Sequence, residues 1–172
     1  MQQSTWFTPE GLEDLLPPQA QKLEFYRRKL IDGFVLSGFE LVLPPIAEFT
    51  DSLLTGTVGN IAVDTCRFTD QESGRMMGVR ADMTPQVARI DAHLLADEQG
   101  NKRITRLCYC GHLLHAQADG INSSRTPLQI GAEIFGSNGI VADIEVVSLM
   151  IETLHTAGLD NISIDIAHVG VF

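Results

Sequence analysis

The order of structural elements is decided around the stretch VRADMTP, residues 79–85. Residues 75–79 before it are typical of a strand, and an amphipathic pattern follows it. Thr84 is a good N-cap residue and Pro85 suits the first helical position. The stretch therefore predicts a strand followed at once by a helix, with the carboxylate of Asp82 and the hydroxyl of Thr84 at the junction.

Upstream of this junction the sequence predicts a helix, a short strand and a hairpin. The helix covers residues 20–37, and Gly38 stands where a left-handed C-terminal cap belongs. A short strand over residues 39–43 ends at two prolines. Residues 64–79 have strand-like ends around the turn residues 70–74, which predicts a hairpin.

Downstream, the sequence predicts two helices and three strands. The apolar face of the first helix is Met83, Val87, Ile90 and Leu94. Two longer strands, residues 106–114 and 126–135, flank a polar loop at 119–124. A second helix begins at Asp143 and stops at Gly158, and a last strand covers residues 162–168. The inward side chains expected for the second helix are Ile144, Val147, Ile151 and Leu154.

This order lacks regular βαβ alternation, so we expect an α+β fold with a mainly antiparallel sheet flanked by helices. The last four residues, VGVF at 169–172, are apolar and follow a predicted strand directly. We therefore expect a truncated fold, in which residues 1–172 are the N-terminal part of a longer domain.

The composition excludes several classes of protein. The 172 residues carry 12 Lys and Arg against 22 Asp and Glu, a net charge of −10, and 44% are hydrophobic. This acidity argues against binding to nucleic acid or to anionic membrane surfaces. Three cysteines make no disulfide framework, and neither a signal peptide nor a membrane span is found. We expect a cytoplasmic protein.

Two local patterns invite a metal or anion site but have simpler explanations. Cys108, Cys110, His112 and His115 form C-x-C-x-H-x-x-H, yet on a strand the first three share one face and fit a tetrahedral zinc site poorly. Buried free cysteines are common, so we favour a structural role and expect no metal. The glycines of residues 56–59 and the basic residues 27–29 are typical of a connector and a solvated helix face.

Two constellations suit ligand binding better. The first is Asp82 and Thr84 at the strand–helix junction. The second is Gln129, Gly131 and Glu133, which share one face of a predicted strand, with glycine leaving space between an amide and a carboxylate. Together these residues offer acceptors for an ammonium group and for an imidazole N–H.

A structural alternative exists for the second constellation. A buried Glu133 paired with Arg80 or Arg125 would be an ordinary ion pair of the core. The residues by themselves leave both explanations open.

At these residues the chain resembles a known superfamily. Residues 9–17 resemble the N-terminal arm of histidyl-tRNA synthetase and its paralogue, the regulatory subunit of ATP phosphoribosyltransferase. Residues 43–48 resemble the proline-containing end of class II synthetase motif 1, and residues 129–136 resemble the strand that closes motif 2. Residues 79–84 are similar to the Arg-x-Asp-Met-Thr-Pro form of the regulatory paralogue. The resemblance implies a class II aminoacyl-tRNA synthetase-like fold.

Departures from the synthetase pattern point to the regulatory paralogue. The Phe-Arg-x-Glu of motif 2 is replaced by LLHA at residues 113–116, and Pro127 stands where the adenine-stacking aromatic would be. Without the arginine, the charge that develops during adenylate formation has no stabilising partner. We therefore expect a non-catalytic protein without a cofactor.

The resemblance also implies a ligand and partners. Asp82, Thr84 and Gln129 would meet the α-amino end of histidine, Glu133 would accept from its imidazole, and Arg80 and Arg125 could support them. The expected partners are the short-form ATP phosphoribosyltransferase catalytic subunit and a second copy of the chain, as a homodimer within a hetero-oligomer. Histidine would act as the effector. The alternatives are a fragment of an active histidyl-tRNA synthetase and an interaction scaffold with a vestigial pocket.

Overall fold

The computed structural model describes residues 7–55, 60–96, 103–118, 120 and 123–167. The helices are α1 (Gln19–Leu36), α2 (Thr50–Leu53), α3 (Asn60–Asp64), α4 (Thr84–Ile90), which runs into a π-helical turn (Asp91–Leu95), and α5 (Ile140–Thr156). The strands are β1 (Glu40–Leu41), β2 (Ala47–Phe49), β3 (Arg67–Thr69), β4 (Met76–Val79), β5 (Thr105–His112) and β6 (Leu128–Phe135). The predicted connector at residues 56–59 and the apolar ending at residues 169–172 lie outside these residues, as do three of the six residues of the predicted loop at 119–124.

The larger sheet has the strand order β1-β5-β6. β5 and β6 pair antiparallel along their whole length, from Thr105 opposite Phe135 to His112 opposite Leu128. The short β1 pairs parallel with β5. The smaller sheet, β2-β4-β3, is antiparallel throughout and contains the predicted hairpin. Pairing between the described strands is thus mainly antiparallel, and the α+β class is confirmed.

Helices cover both faces of the larger sheet because successive strand residues point to opposite sides. On one face, Phe34 of α1 and Leu149 of α5 pack with Phe39 and Cys108. On the other face, Met83 and Val87 at the start of α4 pack with Leu107, Tyr109 and Leu113. The second layer brings the strand–helix junction at residues 79–85 directly over the sheet.

Helix α1 ends as the sequence predicts. Gly38 has φ +88°, and its N–H donates to the carbonyl of Val35 at 3.0 Å. The N–H of Phe39 donates to the carbonyl of Phe34 at 3.0 Å, which completes a Schellman motif. The Phe34 and Phe39 rings are 6.5 Å apart at their centroids, so this cap also directs the chain into the core.

The prediction that Thr84 caps its helix is wrong. Helix α4 begins at Thr84 itself, its N-cap residue is Met83, and no side chain makes a capping bond. The N–H of Thr84 is instead satisfied by Asp82 Oδ1 at 3.0 Å. This arrangement leaves the Thr84 hydroxyl available to reach across to the sheet.

The predicted apolar face of α4 is correct for its first part and wrong for Leu94. Met83 and Val87 are buried and Ile90 packs beside them, but Leu94 is 66% exposed and Leu95 packs in its place. The π-helical turn explains the change, because it inserts one extra residue per turn and rotates the following side chains.

Helix α5 begins three residues before the predicted Asp143, after Gly139. Its predicted inward face is wrong at Ile144, which is 59% exposed, whereas Leu149 on another side is buried. Apolar residues occur all round this helix, so periodicity could not select the buried side. The Arg106–Glu145 ion pair, at 2.6 Å, helps fix the side that faces β5.

The last predicted strand, residues 162–168, is also wrong over its described part. Residues 161–167 make no ladder pairing with any described strand. An apolar, β-branched pattern is insufficient for a strand, since a strand also requires a neighbour to bond with. Within the described ranges, no helix is long and apolar enough to cross a membrane.

Candidate functional site

Asp82 and Gln129 form one half of the candidate site, where the strand–helix junction meets β6. Gln129 Nε2 donates to Asp82 Oδ1 at 2.8 Å, and Gln129 Oε1 accepts from the N–H of Met83 at 2.9 Å. The amide of Gln129 is therefore fixed in one orientation by two partners. Asp82 Oδ1 also accepts from the Thr84 N–H, so the position of this carboxylate is fixed by both sides of the junction.

Thr84, Tyr109 and Glu133 form the other half. The Thr84 hydroxyl donates to Glu133 Oε1 at 3.0 Å, and the Tyr109 hydroxyl donates to the same oxygen at 3.1 Å. The two hydroxyls are also 3.1 Å from each other. One oxygen of Glu133 thus receives two protein hydroxyls, and these described contacts leave Oε2 for another donor.

The predicted spacing of Gln129, Gly131 and Glu133 on one face is observed, but the space over the glycine is already filled. Tyr109 lies directly opposite Gly131 in the β5–β6 register. A Cβ at position 131 would clash with the Tyr109 ring and hydroxyl. Glycine is required here because the tyrosine crosses the strand to reach Glu133.

Tyr109 is the site residue that sequence reasoning missed. Its side chain is 3% exposed, and burial, with the nearby Glu133 and Asp82 carboxylates, raises the pKa of its phenol far above the ordinary value. It therefore stays a proton donor at physiological pH. The sequence does contain a clue to Tyr109, since an aromatic residue on one strand can pack over a glycine on the neighbouring strand. Only the register of β5 against β6 shows that Tyr109 and Gly131 are such a pair.

Arg80 and Arg125 bind backbone carbonyls. Arg80 Nε donates to the carbonyl of His112 at 2.9 Å and its Nη1 to that of Pro44 at 2.9 Å, and burial lowers the pKa of its guanidinium. Arg125 Nε donates to the carbonyl of His115 at 2.9 Å, and its Nη1 reaches that of Glu10. In the described part of the chain, neither guanidinium bonds to Asp82 or Glu133.

A partly buried ion pair links α4 to β2 of the smaller sheet. Glu48 of β2 accepts from Arg89 Nη2 at 2.6 Å and from Arg89 Nε at 3.1 Å. Gln86 Nε2 donates to the same carboxylate at 2.9 Å and to the carbonyl of Pro45 at 2.8 Å. Thr84 and Asp82 lie at the start of α4. The ion pair that holds α4 therefore also holds these two residues at their distance from the larger sheet.

Asp82 lines two grooves. The first, called the Asp82–His93 groove, has a volume of about 750 Å³ and runs along α4 past Thr84, Arg89 and His93. The second, called the Asp82–His115 groove, has a volume of about 640 Å³. It is lined by Ile61, Val63, Asp64, Ala81, Asp82, Leu113, His115, Gln117 and Gln129. Both grooves are large enough for an amino acid.

The C-x-C-x-H-x-x-H residues do not converge. Cys108 is buried against α1 and α5. Burial raises the pKa of the Cys108 thiol and the pKa of the Cys110 thiol. His115 lines the groove on the other side of the sheet. Among the described residues, no three His, Cys, Asp or Glu side chains are grouped so that they could hold a metal ion.

The comparison with known families agrees with this geometry. The family model described as Histidyl-tRNA synthetase matches residues 11–172. The chain belongs to the histidyl-tRNA synthetase family. Within this family, curated relatives that are similar to the chain are named ATP phosphoribosyltransferase regulatory subunit.

The chain is 60% identical over 171 residues to the ATP phosphoribosyltransferase regulatory subunit of Hydrogenovibrio crunogenus, covering 99% of this chain and 43% of the relative. It is 52% identical over 169 residues to the protein of the same name from Thiobacillus denitrificans, covering 98% of this chain and 51% of the relative. The chain thus spans about half the length, or less, of these curated relatives.

Solved structures confirm the class II synthetase-like fold. A Bacillus halodurans structure, described as an ATP phosphoribosyltransferase regulatory subunit/histidyl-tRNA synthetase, superposes with a TM-score of 0.77 at 25% identity, covering 93% of this chain and 40% of that one. A histidine–tRNA ligase subunit from Alicyclobacillus acidocaldarius gives a TM-score of 0.75 at 25% identity, covering 91% and 43%.

Proposed function

We propose that the chain is part of a regulatory subunit of ATP phosphoribosyltransferase, which supports the first step of histidine biosynthesis and mediates feedback by histidine. The observation that carries this proposal is a pair of carboxylates held by hydrogen bonds: Asp82 accepts from Gln129 Nε2 and the Thr84 N–H, and Glu133 accepts from the Thr84 and Tyr109 hydroxyls. The names of its relatives at 60% and 52% identity support the same assignment.

Histidine has two positive or proton-donating groups that this pair can recognise. Its ammonium suits Asp82, whose position is fixed by Gln129, and its imidazole N–H suits Glu133 Oε2. Ligand binding is favoured because the acceptors are already oriented, so little further ordering is needed. Arg80 and Arg125 act indirectly, by holding the backbone on which these groups stand.

The regulatory subunit has no catalytic activity of its own. Amino-acid activation by ATP requires cations near the reacting phosphate and carboxylate. The residues that line the Asp82–His115 groove include two carboxylates and neither Lys nor Arg. ATP, with its phosphate charges, is disfavoured beside such a surface.

Regulation follows from linkage between two sites. Histidine shifts the activity of the catalytic subunit only if its affinity differs between two states of the assembly. The partners are the short-form catalytic subunit and a second copy of the regulatory subunit, in a cytoplasmic hetero-oligomer. Residues 1–172 belong to the N-terminal part of a longer domain.

Reconstitution tests the proposal. The full-length protein is mixed with the short-form catalytic subunit, and phosphoribosyl transfer is measured with and without histidine. We expect stimulation by the mixture and inhibition by histidine, with inhibition weakened by Glu133→Gln and unchanged by Glu72→Gln, a change in an exposed turn. The absence of both stimulation and co-elution would refute the regulatory role, and robust histidine-dependent ATP–pyrophosphate exchange would identify a synthetase instead.

A further inference from the structure

The N-terminal arm, residues 9–17, is bonded to the end of the antiparallel pair formed by β5 and β6. The carbonyl of Gly11 accepts from the N–H of Arg125 at 2.8 Å, and the carbonyl of Glu10 accepts from Arg125 Nη1 at 3.4 Å. A segment that precedes the first helix is thus held by a residue far along the chain.

This contact requires glycine at position 11. Gly11 has φ +76°, in the left-handed region that residues with a side chain rarely adopt. A Cβ at this position would lie 2.8 Å from Cγ and 2.9 Å from Cδ of Arg125. The arm therefore packs directly on the Arg125 side chain as well as accepting from its N–H.

Arg125 is in turn bonded to His115. The carbonyl of Arg125 accepts from the N–H of His115 at 2.8 Å, and Arg125 Nε donates to the carbonyl of His115 at 2.9 Å. This pair continues the β5–β6 ladder, since the N–H of Leu113 likewise donates to the carbonyl of Pro127 at 3.0 Å. Hydrogen bonds therefore run without a break from Gly11 through Arg125 to His115.

The segment that Arg125 holds is one wall of the Asp82–His115 groove. Leu113, His115 and Gln117 line this groove together with Asp82 and Gln129 of the candidate site. A displacement of the segment would therefore change the shape of the groove in which the candidate site lies.

We infer that the N-terminal arm positions this wall through the contact of Gly11 with Arg125, and thereby raises the affinity of the candidate site for its ligand. The statement about affinity rests on the proposed function. The ends of a strand pair fray unless other contacts hold them, and the arm supplies such a contact at Arg125. Gly11 and Arg125 are positioning residues, since the described lining of the groove includes neither.

Amide hydrogen exchange on the full-length protein tests the positioning role. Gly11→Ala introduces the unfavourable φ and the clash with Arg125. The Arg125 amide should then exchange about tenfold faster, the effect of losing one hydrogen bond. The His115 amide should also exchange faster, whereas that of Tyr109, in the middle of the β5–β6 ladder, should not change. If the Arg125 amide responds and the His115 amide does not, the inference fails.

Calorimetry with histidine on the same protein measures the consequence for the ligand. Gly11→Ala should raise the Kd for histidine about fivefold, within the range for residues coupled by direct contact. Gly158→Ala is the matched control, because Gly158 has φ +93° and a Cβ there would meet open space. Gly158 follows α5, which packs on the opposite face of the larger sheet. The control should lower the thermal midpoint through backbone strain and leave the Kd unchanged.

A double variant tests whether the contact itself is the route. Arg125→Ala removes the Cγ and Cδ atoms with which Gly11→Ala clashes. Gly11→Ala should therefore weaken histidine binding less in the Arg125→Ala background than in the wild type. Equal effects in the two backgrounds would show that the residues act independently and would contradict the inference.

The remaining outcomes separate the inference from the proposed function. If Gly11→Ala and Gly158→Ala weaken histidine binding equally, the effect is general destabilisation and the inference fails, while histidine sensing stands. If the wild type binds no histidine and the His115 amide still responds to Gly11→Ala, the proposed function fails and the positioning of the wall by the arm stands.

Discussion

Replacement of Tyr109 by phenylalanine should destabilise the protein through the loss of one hydroxyl. This hydroxyl is 3.1 Å from Glu133 Oε1 and 3.1 Å from the Thr84 hydroxyl, and the side chain is 3% exposed. A hydrogen bond contributes about 0.5–1.5 kcal/mol net, and more when it meets a charged group. The ring keeps its packing over Gly131 in Tyr109→Phe, so we expect a loss of about 2 kcal/mol in the free energy of unfolding.

Urea unfolding measures this loss, with Tyr26→Phe as the matched control. Tyr26 lies on α1 in an edge-on contact with Phe25 and has no hydroxyl bond among the described contacts. The control should lose less than about 0.5 kcal/mol. Tyr109→Phe should also weaken histidine binding, because Glu133 would be held by the Thr84 hydroxyl alone. A change within the range of the control in both measurements would refute the assignment of Tyr109 to the site.

Three further predictions concern the groups around the site and a surface cluster on α1. Glu48→Gln should cost about 3 kcal/mol in urea unfolding, because the partly buried Arg89 loses its ionic partner. Gly131→Ala should cost about 2 kcal/mol in thermal unfolding, since the new Cβ displaces Tyr109, and it should reduce histidine affinity in the same samples. The Glu24 carboxyl should titrate by NMR at about pH 2, because hydrogen bonds from two arginines of α1 lower its pKa from 4.5 to about 2. This contribution to stability is present above pH 4.5 and disappears as the pH falls through about 2.

Local patterns predicted most of the fold. The hairpin, the long antiparallel pair and the capped end of α1 follow from turn glycines, alternation and the left-handed cap, which are properties of a few neighbouring residues. Two of the wrong predictions concern which side of a helix is buried, because that depends on helix geometry and on packing against other elements. Leu94 is exposed because a π-helical turn changes the phase of α4. The exposure of Ile144 could not be predicted because apolar residues occur on all sides of α5, so periodicity does not select the buried side.

The candidate site also contains features that the sequence predicts and features that it does not. The spacing of Gln129 and Glu133 on one face of a strand is a property of sequence alone, and the structure confirms that both point toward the strand–helix junction. The assignment of Thr84 as an N-cap was wrong because the hydroxyl has a better partner 49 residues away in the chain. Local propensity carries no information about such a distant acceptor.

The sequence by itself determined that this is an acidic α+β chain of the histidyl-tRNA synthetase family. Tertiary structure alone decided that Tyr109 crosses Gly131 to bind Glu133, and that His115 faces the same groove as Asp82. The physical reason is that composition and periodicity are short-range properties of a chain. The register of two paired strands, the position of α4 over the sheet and the set of residues that line one groove depend on contacts between residues that are far apart in sequence.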